Sequence, residues 1–266
     1  MPGAETTVEG AHSLDFIGVD FRVDLRFTDG SSVQLESPFT VTDRSGDSVV
    51  VDPERKDTLL PMLRLFGTEL VRRSVEGDTL TLVLADGATL VAGPDAEFES
   101  WQVSRPKCRP VRVNPREGST SPGAGEALRM RVPGLSFALD IAGDTVDFIG
   151  LGSDVTIRFS SGASLRFETD FALTGSDGEH AFLDPGDKPS LLGLLALHTE
   201  VVSDGAVTGG RIAIRFASGA LLEGWPNRRG PSWHYSEPGR ARVEIDALPD
   251  GDVQYRHSPS SAEVRR

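Results

Sequence analysis

Residues able to do chemistry are few in this chain of 266 residues, and they do not converge. The one cysteine, Cys108, sits in Pro-Lys-Cys-Arg-Pro, where Arg105, Lys107 and Arg109 would favour a thiolate. Nothing in that stretch orients a substrate, so a passive exposed thiol is expected. His180 and Asp184 are four apart and could share a metal, but a structural site wants four donors. His198 closes an apolar stripe and reads as a last-turn helix residue. There is no Gly-rich phosphate loop, no Gly-x-Ser-x-Gly elbow, no His-Glu-x-x-His and no cysteine pair. The sequence assigns no catalytic residue, no cofactor and no metal.

Aromatic and paired polar residues are the remaining candidates. Trp225, Trp233, His234 and Tyr235 cluster beside Arg228 and Arg229, and Trp, Tyr and Arg dominate interface hot spots. The expected partner-binding set is Trp225, Trp233 and Tyr235 with the carboxylates Glu36 and Glu168. Trp225 leads it. Trp101 and Trp233 also read as plugs at the edge of a core. Arg26 with Glu36, and Arg158 with Glu168, are expected as cross-strand ion pairs worth about 0.2–1 kcal/mol each.

These residues recur because the chain repeats itself. Asp15-Phe16-Ile17-Gly18 returns as Asp147-Phe148-Ile149-Gly150, 132 positions later. Residues 19–27 lie over 151–159, 32–39 over 164–171, Asp52-Pro53 over Asp184-Pro185 and Trp101 over Trp233. Asp15/Asp147, Arg26/Arg158, Glu36/Glu168 and Lys56/Lys188 are polar pairs kept in both copies. A one-residue slip is expected near Thr68-Glu69, which best matches Thr199-Glu200. The pattern is that of a tandem duplication.

Each copy reads as strands around one helix. Val19, Phe21, Val23, Leu25 and Phe27 alternate with charged residues, the period of a half-buried strand. Asp29-Gly30 then predicts a type I′ hairpin, and a bend at Pro38 leads to Phe39 and Val41. Asp52-Pro53 reads as a helix cap and first-turn proline, with Leu59, Leu60, Leu63 and Phe66 as the buried stripe and Gly67 as its end. Pro61 shifts the expected helix start toward Asp57. The second copy offers a more apolar segment at 189–198. Another hairpin, through Asp86-Gly87 or Ser218-Gly219, precedes the tryptophan. Extra strands are expected near 130–141 and at Val243 and Ile245.

The expected fold class is therefore α+β: two homologous domains, each a mainly antiparallel sheet with one packed helix, arranged as an intramolecular pseudo-dimer. The expected boundaries are 12–104 for the first repeat, 105–128 for a Pro/Gly/Arg-rich linker, 129–256 for the second repeat and 257–266 for a polar tail. A monomer with an internal pseudo-two-fold is the favoured state.

Charge narrows the partners. The formal net charge is −13, with 19 acidic and 8 basic residues over 1–104 (net −11) and a basic 105–128 (5 basic, 2 acidic, net +3). Nucleic-acid binding draws on Lys and Arg displacing counterions, so it is not expected of either repeat. No apolar run approaches the ~20 residues that span a bilayer, and no membrane partner is expected. A lone cysteine and the absence of a secretory pattern in residues 1–12 point to the cytoplasm.

The first copy also resembles a small bacterial domain family of unknown function, common in actinobacteria. The resemblance rests on Phe16-Ile17-Gly18, the 25–30 hairpin, Glu36-Ser-Pro-Phe39, Asp52-Pro53, Leu82-x-Leu-x-Asp-Gly87, and Pro94-Asp95 with Trp101. It spans nearly all of 12–104. The second copy departs from it at Asp170, Ser161 and Ser218, which replace a proline and two hairpin aspartates. The resemblance implies single domains of this size and brings no catalytic residue; some similar proteins look like immunity or conflict-system components. The expected function is a non-catalytic acidic protein-binding module, immunity-like, neutralising or scaffolding a basic partner. Two alternatives stand beside it: a ligand or enzymatic site in the cleft between repeats, and a structural component of a larger assembly.

Overall fold

The computed structural model describes residues 5–95, 100–104, 128–132, 136–228, 230, 232–238, 241–249 and 251–259. The first half holds β1 (Glu5–Val19), β2 (Val23–Phe27), β3 (Ser32–Leu35), β4 (Phe39–Thr42), β5 (Ser48–Val51), β6 (Glu69–Glu76), β7 (Thr79–Leu84), β8 (Thr89–Ala92) and β9 (Trp101–Ser104). The second holds β10 (Leu128–Val132), β11 (Ser136–Ala138), β12 (Val146–Leu151), β13 (Val155–Phe159), β14 (Ser164–Phe167), β15 (Phe171–Thr174), β16 (His180–Leu183), β17 (Val202–Thr208), β18 (Arg211–Phe216), β19 (Leu221–Gly224), β20 (Trp233–Glu237), β21 (Ala241–Ala247) and β22 (Val253–Pro259).

Alternation builds the sheets. Val23, Leu25 and Phe27 are buried while Arg26 is exposed, and Val155, Ile157, Phe159 and Arg158 repeat the pattern. Each half is two antiparallel layers closed over an apolar core. In the first half, β1 is long enough to serve both layers: its Glu5–Ser13 part pairs with β6 and its Leu14–Val19 part with β2. One layer continues β6-β7-β8-β4-β5; the other is β1-β2-β3-β9. The second half matches with β11-β17-β18-β19-β15-β16 and β12-β13-β14-β20, the latter extended by β21, β22 and β10. The chain changes layer between β3 and β4, at the expected Ser37-Pro38 bend.

The helical content corrects the α+β expectation: the fold is mainly β. Each expected helix is a 3₁₀ turn (Lys56–Thr58 or Lys188–Leu191) running into four α residues, α1 (Leu60–Leu63) or α2 (Leu192–Leu195). Asp52 does not cap it. Its Oδ1 accepts the Glu54 N–H at 3.0 Å, as Asp184 accepts from Gly186 at 2.7 Å, so both aspartates make local turns instead. Pro61 sits in the first turn of α1, and Leu59, Met62 and Leu63 sink into the core. A single turn is as much helix as the gap between β5 and β6 requires.

Two further expectations change. The Asp29-Gly30 hairpin is not type I′, because among its central residues Gly30 alone has positive φ, +79°. Gly30 donates to Phe27 O at 2.8 Å and Phe27 to Ser31 O at 3.0 Å, a type I turn closed by a glycine bulge. Asp29 Oδ1 holds the Ser31 N–H at 2.8 Å; Ser161, its replacement, holds Ala163 through Oγ at 3.3 Å. The slip near Thr68 is also absent. Gly67 donates to Leu14 O and Thr199 to Val146 O, both at 2.8 Å and both spaced by the original offset. A left-handed glycine (φ +81°) has simply become a left-handed threonine (φ +72°).

Residues 105–127 of the expected linker and 260–266 of the tail lie outside the described residues. Leu128 already belongs to β10, and 257–259 complete β22, so strands reach past both expected boundaries.

Candidate interaction surfaces

The two halves meet at the tetrapeptide that first exposed the repeat. β1 pairs antiparallel with β12 in the register Ile17↔Leu151, Gly18↔Gly150, Val19↔Ile149. Under the offset of 132, Ile17 corresponds to Ile149 and Val19 to Leu151. The contact is thus self-complementary, with a pseudo-two-fold axis between Gly18 and Gly150. One sheet runs unbroken through both halves, from β9 to β10.

Close approach explains the glycines. Phe16 and Phe148 stack over the axis with ring centroids 6.3 Å apart and planes 16° from parallel. A Cβ at Gly18 would lie 3.0 Å from the Phe148 ring, and one at Gly150 only 2.9 Å from both rings. Arg26 and Arg158 cover the outer ring faces at 4.4 and 4.8 Å. A shallow hollow of about 430 Å³ runs across this seam between Asp15, Phe16 and Arg26 on one side and Gly152, Ser153 and Asp154 on the other.

Behind the seam the retained lysines act as staples. Lys188 is buried and donates from Nζ to Gly152 O at 2.6 Å and to Pro185 O, over the Phe66 ring of the other half at 4.3 Å. Lys56 repeats this with Asp20 O and with Pro53 O at 2.5 Å. Burial pushes both ammonium groups down, opposed at Lys188 by Asp184 and Asp154 and at Lys56 by Asp20, Glu54 and Asp52. The position of Phe66 is taken in the second half by His198, which is buried and meets the exposed Phe21 edge-on at 4.9 Å. Burial and then Lys56 push the His198 imidazole down; Asp20 and Asp147 oppose them. Its Nε2 is buried and finds no hydrogen-bond partner among the described residues.

The carboxylates of the expected binding set do not converge. Glu36 faces Arg22, at 3.7 Å, and not Arg26, which reaches Asp24 at 3.6 Å. The register decides this, because Arg26 stands opposite Ser32. Glu168 pairs with Arg166 at 2.5 Å, and Arg158 with Asp147 at 3.1 Å. Glu36 lines a hollow of about 330 Å³ with Asp20, Phe21, Arg22 and Glu54, all from the first half. Glu168 lies five strand spacings of about 4.8 Å away, roughly 24 Å, so the two carboxylates share no cleft.

Trp233 and Tyr235 are core residues, each 1% exposed. β21 covers the outer side of β20 in the second half, whereas β9 has no strand beyond it among the described residues. Trp233 Nε1 donates to Gly210 O at 2.9 Å and Trp101 Nε1 to Asp78 O at 3.0 Å. The Tyr235 hydroxyl donates to Glu237 at 3.2 Å, and burial keeps the phenol protonated far above its ordinary range. Neither aromatic presents a face to a partner.

Trp225 does reach the surface, half-buried, and in company that sequence reasoning missed. Its ring meets Phe182 edge-on at 6.0 Å, and Phe182 meets His180 at 5.0 Å. Phe182 is 68% exposed. His180, paired with no metal-ligating cluster among the described residues, holds Thr174 Oγ1 at 3.0 Å through Nδ1. The trio lies on the outer face of the layer ending in β15 and β16: Phe182 stands opposite Ala172, Ala172 opposite Glu223, and Trp225 is two residues past Glu223. Glu223 is engaged by Arg211. Residues 170–187 carry five acidic side chains (Asp170, Asp177, Glu179, Asp184, Asp187) and no Lys or Arg. The signal available in the sequence was joint substitution: Phe182 replaces Val50 just where Trp225 replaces Gly93.

A family model described as "Family of unknown function (DUF6188)" matches the chain twice, over residues 7–119 and 137–257. Among curated proteins nothing matches. A solved structure, "Crystal structure of a DnaN sliding clamp (DNA polymerase III subunit beta) from Bartonella birtlesii bound to griselimycin", is 13% identical, with 92% of this chain and 76% of that one covered. Its TM-score is 0.15, a likeness that carries no argument.

Proposed function

The chain belongs, through both of its halves, to the family of unknown function DUF6188, and we propose that it is a non-catalytic acidic module that binds and masks a basic protein partner. The observation that supports this reading is the His180–Phe182 pair, exposed and backed by the half-buried Trp225, on a segment (170–187) with five acidic residues and no basic one. Aromatic anchors supply contact area, and the surrounding carboxylates speed encounter with a basic surface and favour it over an acidic one. The net charge of −13 acts in the same sense at longer range.

The test is capture from a native lysate at low and high salt with the wild-type chain and with Phe182→Ser combined with Trp225→Ala. A basic partner held at low salt, weakened at high salt and lost with the double variant is the expected outcome. A partner set unmoved by salt and by both substitutions, or no partner at all, refutes the reading.

A further inference from the structure

We infer that the free edge of β16 receives an extended, basic segment of the partner as an added strand. The inference rests on the protein-binding reading and adds how the partner is held. Hydrogen bonding across the β15–β16 hairpin fixes which groups are free. Gly175 N–H donates to Glu179 O at 2.8 Å, so the alternation places Leu173↔Ala181 and Phe171↔Leu183 as the bonded pairs. His180 and Phe182 therefore turn their N–H and C=O groups away from β15. β16 ends its layer, and no described strand lies beyond it. An exposed edge of this kind is a template for another strand.

Charge selects the occupant. Asp177 and Glu179 stand at one end of β16 and Asp184 and Asp187 at the other, so a segment with Lys or Arg at its ends is complementary. Residues directly opposite each other in an antiparallel pair share a face. Apolar residues of the incoming strand would thus lie beside Phe182 and Trp225. A second copy of this chain is a poor occupant. Antiparallel self-pairing centred on Ala181 would lay the 177–179 end of each copy against the 184–187 end of the other, acid on acid at both ends. β5 supplies an internal comparison. Its Ser48 and Val50 also face outward, since Asp43 donates to Asp47 O at 3.0 Å. It lacks the aromatic trio, however, and Arg44 and Arg55 offset part of the four carboxylates around it, Asp43, Asp47, Asp52 and Glu54.

The probe is a labelled, end-blocked peptide Lys-Val-Lys-Val-Lys-Val-Lys, titrated against the full chain by fluorescence anisotropy. Valines set opposite His180 and Phe182 direct their N–H groups at β16. N-methylation of the three valines, or Glu in place of Lys, is expected to weaken binding at least about tenfold. Hydrogen exchange should show new protection at the His180 and Phe182 amides and none at Ser48 and Val50. His180→Pro removes one outward donor, a change that an edge strand tolerates, and should cost a similar factor with the thermal midpoint nearly unchanged.

No binding by the lysine peptide up to about 1 mM, about −4 kcal/mol, overturns the inference. Equal binding of the N-methylated peptide, protection at β5 alone, or a chain that dimerises through β16 does so as well. Should a lysate partner be lost with Phe182→Ser and Trp225→Ala yet be indifferent to His180→Pro, strand addition fails while the protein-binding reading stands. A wild-type chain that binds neither the peptide nor any lysate partner removes the two together.

Discussion

Thr199 and Gly67 allow the same backbone geometry to be tested with two side chains in one molecule. Both are exposed, both are left-handed (φ +72° and +81°), and each donates its N–H to β12 or β1 at 2.8 Å. Thr199→Gly therefore removes no buried surface and no backbone hydrogen bond. A β-branched residue in the left-handed region pays roughly 1–2 kcal/mol. Glycine returns about 0.4–1 kcal/mol of that through the freedom of its unfolded chain. The expected net gain is about 0.5–1 kcal/mol. A Cβ at Gly67 meets nothing within 4 Å, so Gly67→Thr should lose a similar amount by the backbone effect alone. Urea denaturation read by circular dichroism measures both, and thermal midpoints should move about 1–4 °C in opposite directions. Thr199→Asn should fall between, since Asn tolerates this region better. The reasoning is refuted if Thr199→Gly leaves stability unchanged or lowers it while Gly67→Thr costs nothing.

Three further outcomes follow from the seam. His198 has its basicity lowered in the folded chain, so the unfolded chain binds the extra proton first. Its contribution is intact above the unfolded value near 6.5 and is lost as pH falls below it, so stability should decline as pH drops through that value. His198→Phe, which restores the Phe66 arrangement, should flatten that part of a stability-versus-pH curve; an unchanged slope would place the titration elsewhere. Lys188→Met strands the carbonyls of Gly152 and Pro185 and should cost about 1–3 kcal/mol, more than Lys56→Met at its half-exposed counterpart; equal or negligible losses in denaturant melts would contradict the staple. Gly150→Ala should destabilise the wild-type chain, where its Cβ strikes both rings, yet should cost less or become favourable in a Phe16→Ala, Phe148→Ala background. Additive effects in that cycle would show that ring contact does not set the requirement for glycine.

Strand positions were the most legible part of the sequence, because burial in a two-layer β fold repeats every second residue. Val23, Leu25 and Phe27 could be placed from their spacing alone, and the duplication placed Val155, Ile157 and Phe159 with them. The helix was overread: Leu59, Leu60, Leu63 and Phe66 have helical spacing, but a single turn satisfies it, and spacing over so short a run does not fix length. Ion-pair partners were missed because Arg26 and Glu36 were matched by face and not by register: Arg26 stands opposite Ser32, which leaves Glu36 beside Arg22. Trp233 and Tyr235 looked partner-facing because the sequence pattern does not show that β21 pairs alongside β20 and closes over them. Phe182 escaped attention, and His180 was weighed only as a metal ligand, for a different reason. A four-residue strand at the end of a layer offers too little pattern to show which way its side chains point.

Fusion has a consequence for stoichiometry. A single repeat whose Phe-Ile-Gly strand were left bare would have to find a twin, and its assembly would rise and fall with protein concentration. Covalent joining makes that encounter intramolecular and renders it insensitive to dilution. It also releases the twins from identity: a substitution in one is no longer duplicated in the other. Phe182 and Trp225 stand on one half where Val50 and Gly93 stand on the other, so under the proposed function the particle would have one docking valence where a true homodimer would display two.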